Sequence, residues 1–183
     1  MIKRKGDGQI MKPNAIIYTS NTGYTKQYAD LLGEKTRLPV YNLTEAEVKV
    51  PTGTPVIYLG WLMAGKIQGY GKATKTYRIE ALCGVGMGAT GSQIEEIQRI
   101  NHLSEDLPVF TVQGGFDMNK LHGAYKVMMT IMKRTAGKAL KEKADRTSEE
   151  DMMLHMLNHG GNQVSEENLA DILDWYGWER CIA

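Results

Sequence analysis

Cysteine is scarce. Cys83 and Cys181 are the only two in the chain and stand far apart. That pattern argues against a disulfide framework and a zinc knuckle, and it points to a reducing compartment. Long apolar runs are missing as well: nothing approaches the roughly 18 consecutive apolar residues of a membrane span. The opening residues, Met1-Ile2-Lys3-Arg4-Lys5-Gly6-Asp7-Gly8, carry charge without the apolar segment of a secretory signal. Charge of one sign is also lacking, since 22 Lys and Arg stand against 21 Asp and Glu for a net charge of +1. This balance gives no global case for nucleic acid or for an anionic membrane surface. The chain therefore reads as cytoplasmic, with residues 1–13 a flexible extension, Met11 a second candidate start, and residues 14–183 one domain.

What is present is a regular alternation. Apolar, β-branched runs at Ala15–Thr19, Leu38–Leu43, Pro55–Leu62, Arg78–Cys83 and Pro108–Gln113 predict five strands. Helical periods lie between them at Thr25–Thr36, Gly71–Thr76 and after Ser92, which is placed to cap a helix carrying Ile94, Ile97 and Ile100. Five short strands separated by helices make a parallel sheet covered on both faces, a three-layer α/β sandwich. From Asp117 onward the pattern is helical. Leu121, Tyr125, Met128 and Met132 form one stripe. Thr147-Ser148-Glu149-Glu150 reads as a capping box for a helix carrying Met152, Met153, Met156 and Leu157, stopped at Gly160-Gly161. Ser165 is placed to cap a last helix ending at Gly177.

Residues 18–25, YTSNTGYT, follow the first apolar run and precede the first helical one. A strand, a turn and a helix start gather backbone N–H groups at the positive end of the helix dipole, which is an anion site. Thr19, Ser20, Asn21, Thr22, Tyr24 and Thr25 add side-chain donors, and Gly23 lets the backbone bend and approach closely. A nucleoside triphosphate does not suit the turn, because the lysine of a P-loop is missing where Gly23 meets Tyr24-Thr25. One phosphomonoester held by neutral donors does.

The stretch Ile16-Ile17-Tyr18-x-Ser20-x-x-Gly23-x-Thr25-x-x-x-Ala29-x-x-Leu32 resembles the fingerprint of the flavodoxin family, whose S/T-x-T-G-x-T loop grips the phosphate of FMN. The resemblance implies a flavodoxin-like sheet of order 2-1-3-4-5, with FMN at the carboxyl ends of the strands beside the topological switch point. The flavin rings would then lie over two further segments. The first, Gly60-Trp61-Leu62-Met63-Ala64-Gly65-Lys66, offers flexible glycines, a cation and an aromatic face. Trp61 reads equally as a stacking residue or as an interior tryptophan, and Lys66 as a surface charge. The second, Gly84-Val85-Gly86-Met87-Gly88, offers backbone amides to the polar edge of the flavin. It lacks the tyrosine that flavodoxins usually carry there, leaving one ring face open. The formal Gly86-x-Gly88-x-x-Gly91 dinucleotide motif is discounted, since it lies in mid-sheet with no acidic residue after the next strand.

Carrier flavodoxins are strongly acidic, unlike this chain. The segment from Tyr125 through Met128, Met132 and Lys133 to Gly137 is similar to the tail of the menaquinone-dependent protoporphyrinogen oxidase branch, although that branch's long insertion is absent. The resemblance implies an FMN oxidoreductase acting on a quinone or another small substrate. The alternatives are an electron-transfer module serving a protein partner and an FMN-binding domain without turnover. Residues 117–146 hold eight Lys and Arg against three acidic residues. They read as a solvated face, or as a contact for an acidic partner, substrate carboxylates or lipid headgroups. Tyr24, Cys83, His122, His155 and His159 are the available acid–base groups, each read as structural or solvated, so the cofactor is expected to be the reactive group.

Overall fold

The computed structural model describes residues 12–177 apart from Lys120 and His122, so most of the expected N-terminal extension, Cys181 and His122 lie outside the described residues. The side chains of Met128, Met132, Met152 and Met153 lie outside them too.

The five expected strands form at β1 (Ala15–Thr19), β2 (Val40–Asn42), β3 (Pro55–Met63), β5 (Arg78–Gly86) and β6 (Val109–Gln113). All pair in parallel, in the order β2-β1-β3-β5-β6. Counting only these five gives 2-1-3-4-5, the flavodoxin-like order. Alternate residues of each strand feed opposite layers, because strand side chains alternate faces. Ile16, Ile57, Leu59 and Cys83 pack with Tyr28, Ala29 and Leu32 of α1 (Tyr24–Thr36) and with Ile172 and Leu173 of α7 (Ala170–Tyr176). Ile17, Val56, Tyr58 and Leu82 pack with α2 (Leu43–Lys49), α3 (Tyr70–Thr76) and α4 (Ile94–Ile100). The result is a three-layer α/β sandwich.

Glu80 marks a bulge in β5. The register steps from Val56↔Ile79 to Ile57↔Ala81, which leaves Glu80 as the extra residue, fully buried and ion-paired with Arg78 Nε at 2.6 Å. The bulge lets Ile79 face the α2–α4 layer while Ala81 faces the α1 layer.

Several local expectations need correction. The short helix α2 was not expected, although its signal is in the sequence: Asn42 caps Glu45 and Glu45 caps Asn42 in return, a reciprocal box. Ser92 does not cap α4. Its hydroxyl donates to the Ala89 carbonyl at 2.6 Å, and the residue at the cap position is Gln93, at φ 62°. Ser165 does not cap an α-helix directly, because a 3₁₀ turn at Glu167–Leu169 precedes α7. The region after Asp117 is not all helical, since β8 (Gly161–Asn162) pairs antiparallel with β7 (Gly115–Phe116). The helices α5 (Gly123–Glu142) and α6 (Ser148–His159) stand between those strands in sequence, and the expected Thr147–Glu150 capping box opens α6. Phe116, Leu121, Met156 and Leu157 form a small separate core there.

Candidate functional site

Four residues, 20–23, join β1 to α1 at the carboxyl edge of the sheet. β2 lies on one side of β1 and β3 on the other, so this turn sits at the topological switch point. Gly23 occupies the cap position at φ 93°, ψ −12°, and its N–H donates to Ser20 Oγ at 3.0 Å. A side chain there would be strained, yet a Cβ would meet nothing within 4 Å, so the turn is open on that side. The helix start has no side-chain cap and no acidic residue in its first turn. Its positive dipole end therefore faces the turn without a countercharge. Lys26 is not such a partner for a ligand, being paired with Asp30 at 2.6 Å. Ser20 and Thr22 are half-buried and Asn21 is exposed, whereas Thr25 is buried. The arrangement is a neutral turn with several donors and open space at Gly23, suited to one small anion.

Thr19, expected among the ligands, is a brace. Its hydroxyl donates to the Gln68 carbonyl at 2.7 Å, and the Tyr58 hydroxyl lies 2.9 Å from the same carbonyl and 3.2 Å from Thr19 Oγ1. Tyr58 is fully buried, which pushes its phenol up to about 12 against a smaller lowering by Thr19. This network ties the end of β1 to the segment after β4 (Lys66–Ile67).

That segment corrects the second expectation. Residues 60–66 form a hairpin, in which the strand expected over Pro55–Leu62 runs one residue further and the glycines are held rather than flexible. Gly60 to Met63 continue β3, which turns at Ala64 (φ 47°) and Gly65 (φ 74°) and returns as β4. Two successive positive φ values are those of a type I′ turn, whose twist matches the strands. Asn101 fixes the hairpin to the end of α4: its side chain donates to the Gly65 carbonyl at 2.7 Å and accepts from the Ile67 N–H at 3.0 Å. Neither glycine supplies flexibility. Gly60 lies between Thr19 and Gly84 in the ladder, and a Cβ on it would come within 2.7 Å of the Gln68 carbonyl oxygen. Lys66 is exposed and Leu62 and Met63 are half-buried.

The third segment also begins inside the sheet. Gly84, Val85 and Gly86 belong to β5, flanked by Gly60 and Trp61 of β3 and by Thr111, Val112 and Gln113 of β6. A Cβ on Gly84 would approach Leu62 at 3.1 Å, and one on Gly86 would approach it at 2.9 Å. These glycines make room for Leu62. Only Met87 and Gly88 lie beyond the strand, where the Met87 carbonyl accepts from Gln113 Nε2 at 3.2 Å.

Sequence reasoning missed Tyr125. Its ring stands edge-on to Trp61, with centroids 5.2 Å apart and planes at 87°. Trp61 is half-buried and Tyr125 exposed, so the pair forms an accessible aromatic corner at the end of β3. Helical periodicity puts Tyr125 on one stripe with Leu121, Met128 and Met132, and no local signal announces a partner more than sixty residues away. The other acid–base candidates are placed as follows. Cys83 is completely buried, its thiol pushed up to about 12 by burial. His155 and His159 are exposed, their rings tilted at 33° with centroids 4.7 Å apart. Tyr24 is buried, its phenol raised by burial and then by Asp117. It lines a cleft of about 400 Å³ with Asp117, Asn119, Lys133 and His159. Among the described residues no His, Cys, Asp and Glu cluster could hold a metal ion. No described helix is long and apolar enough to cross a membrane.

No family model and no curated protein matches the chain.

Proposed function

We propose that this chain is an FMN-binding redox protein, acting as an oxidoreductase between a quinone or another small substrate and the flavin. The observation that carries the reading is the 20–23 turn. It joins an uncapped helix start, half-buried hydroxyls and open space at Gly23, with no acidic residue in the first turn of α1. A phosphate dianion fits this donor set, since neutral hydrogen bonds and the helix dipole stabilise it without a paired cation. Ser20, Asn21, Thr22 and the backbone N–H groups at the start of α1 would hold it. Trp61 and Tyr125 offer aromatic surface at the neighbouring strand end, and the backbone of Met87 and Gly88 lies at the next. When bound, FMN supplies one- and two-electron chemistry. The chain binds, orients and shields it.

The test is a parallel titration with FMN, FAD and riboflavin, followed by flavin fluorescence. Tight FMN binding with much weaker riboflavin binding is the expected result. No preference for FMN would remove the phosphate turn from the reading. Reduction of a soluble quinone analogue by the loaded protein, with no second protein present, then separates an oxidoreductase from a carrier.

A further inference from the structure

The surface of α5 is distributed unlike that of any other helix in the described chain. Of the four large hydrophobic residues exposed among the described residues, three lie on it: Tyr125, Val127 at 61% and Ile131 at 57%. The helix also holds five cations, Lys126, Lys133, Arg134, Lys138 and Lys141, against the single acid Glu142. Residues 127, 131, 134, 138 and 141 fall within an arc of about 80° at 3.6 residues per turn, over a length of about 21 Å. One face of α5 is thus aliphatic in its first half and basic in its second.

These cations are little used inside the protein. Lys138 lies 3.7 Å from Glu142 with both side chains mostly exposed, and no ion pair with a described residue engages Arg134 or Lys141. Lys143 and Arg146, just beyond the helix, are instead neutralised by Glu150 and Asp151 at 2.6 Å each. A cleft of about 380 Å³ beside the stripe is lined by Lys133, Arg134, Lys138 and Lys141 together with Met118 and Leu154. Uncompensated charge and exposed aliphatics therefore share one surface.

From this we infer that the α5 face docks onto an anionic lipid bilayer surface. A basic stripe alone would serve any acidic partner. Val127 and Ile131 on the same face decide for a bilayer, where aliphatic side chains enter the headgroup–acyl boundary while Arg and Lys snorkel to the phosphates. The charge is complementary to anionic headgroups, each nearby cation strengthening adsorption about fivefold. This contact is independent of any flavin and needs none to be measured.

The experiment is co-sedimentation of the full chain with vesicles of phosphatidylcholine alone and of phosphatidylcholine mixed with phosphatidylglycerol, at low and high salt. Binding to the mixed vesicles, absent on pure phosphatidylcholine and only partly reversed by salt, is expected. Arg134→Gln with Lys138→Gln should weaken it about 25-fold. Val127→Ser with Ile131→Ser should weaken it roughly tenfold and leave the remainder fully salt-labile. All four positions lie on the surface, so unchanged thermal unfolding certifies the variants, and Lys75→Gln on α3 should bind as the parent does. Failure to bind mixed vesicles at low salt overturns the inference, as does binding that neither double variant weakens.

Discussion

Replacing Gly23 by Ala separates the cost of strain from the cost of blocking a ligand. Gly23 sits at φ 93°, where an L-residue costs about 1–2 kcal/mol, offset in part by a stiffer unfolded chain. Its Cβ would touch no protein atom within 4 Å, so backbone conformation is the whole of the structural penalty. Gly53 is a matched control, with φ 81° and again nothing within 4 Å, in a turn that closes on the Thr76 carbonyl far from the site. Both Gly23→Ala and Gly53→Ala should lower urea stability by about 1 kcal/mol. Only the first puts a methyl group into the open space beside the α1 N–H groups. If a phosphate occupies it, losing one charge-assisted hydrogen bond costs about 1.5–3 kcal/mol, or roughly 10- to 150-fold in FMN affinity. Riboflavin, which lacks the phosphate, should lose little. Fluorescence titration of both flavins against both variants gives the answer. Equal losses for FMN and riboflavin, or an equal effect from Gly53→Ala, would refute the reasoning.

Three further outcomes follow from the geometry. The buried Tyr28 hydroxyl donates to the Gln113 carbonyl at 2.5 Å and accepts from Asn168 Nδ2 at 2.7 Å, joining α1, β6 and the approach to α7. Tyr28→Phe should therefore cost about 1–3 kcal/mol in urea unfolding, and a change near zero would show the tether to be redundant. Ala64 holds a left-handed conformation at φ 47° in the type I′ turn, so Ala64→Asn should raise stability by about 0.5–1 kcal/mol; a loss of stability would count against the turn. Tyr58 has its phenol raised from 10.0 to about 12, so the unfolded chain releases that proton first. Its contribution is complete below pH 10 and is lost as pH rises toward 12, about 2–3 kcal/mol in all. Tyr58→Phe should flatten the alkaline fall in stability, and an unchanged slope would contradict the burial argument.

Legibility in the sequence tracked how local each cause is. Strand β1, the turn after it and α1 could be read directly, because an apolar run, a glycine and a helical period lie within one short stretch. The capping box at Thr147 and Glu150 was equally plain, being a pair of reciprocal bonds across three residues. The box at Asn42 and Glu45 was just as local and was overlooked beside a strand pattern. The end of β3 was read to within one residue, but the fixed hairpin that follows it was not. Glycine at Gly60 and Gly65 looks like loop in isolation, and only Asn101 and the Gln68 carbonyl reveal why each is glycine.

The sequence by itself determined the alternation of strands and helices, the hydroxyl-rich turn at 20–23 and the excess of cations along residues 117–146. Periodicity, capping and charge are properties of neighbours along the chain, so one dimension suffices to show them. Tertiary structure alone decided that Gly84 and Gly86 admit Leu62, that Thr19 braces Gln68, that Trp61 meets Tyr125, and that Lys143 and Arg146 are paired with Glu150 and Asp151. Each depends on atoms brought within a few ångströms from distant positions. Close packing fixes such contacts, and no local pattern encodes them.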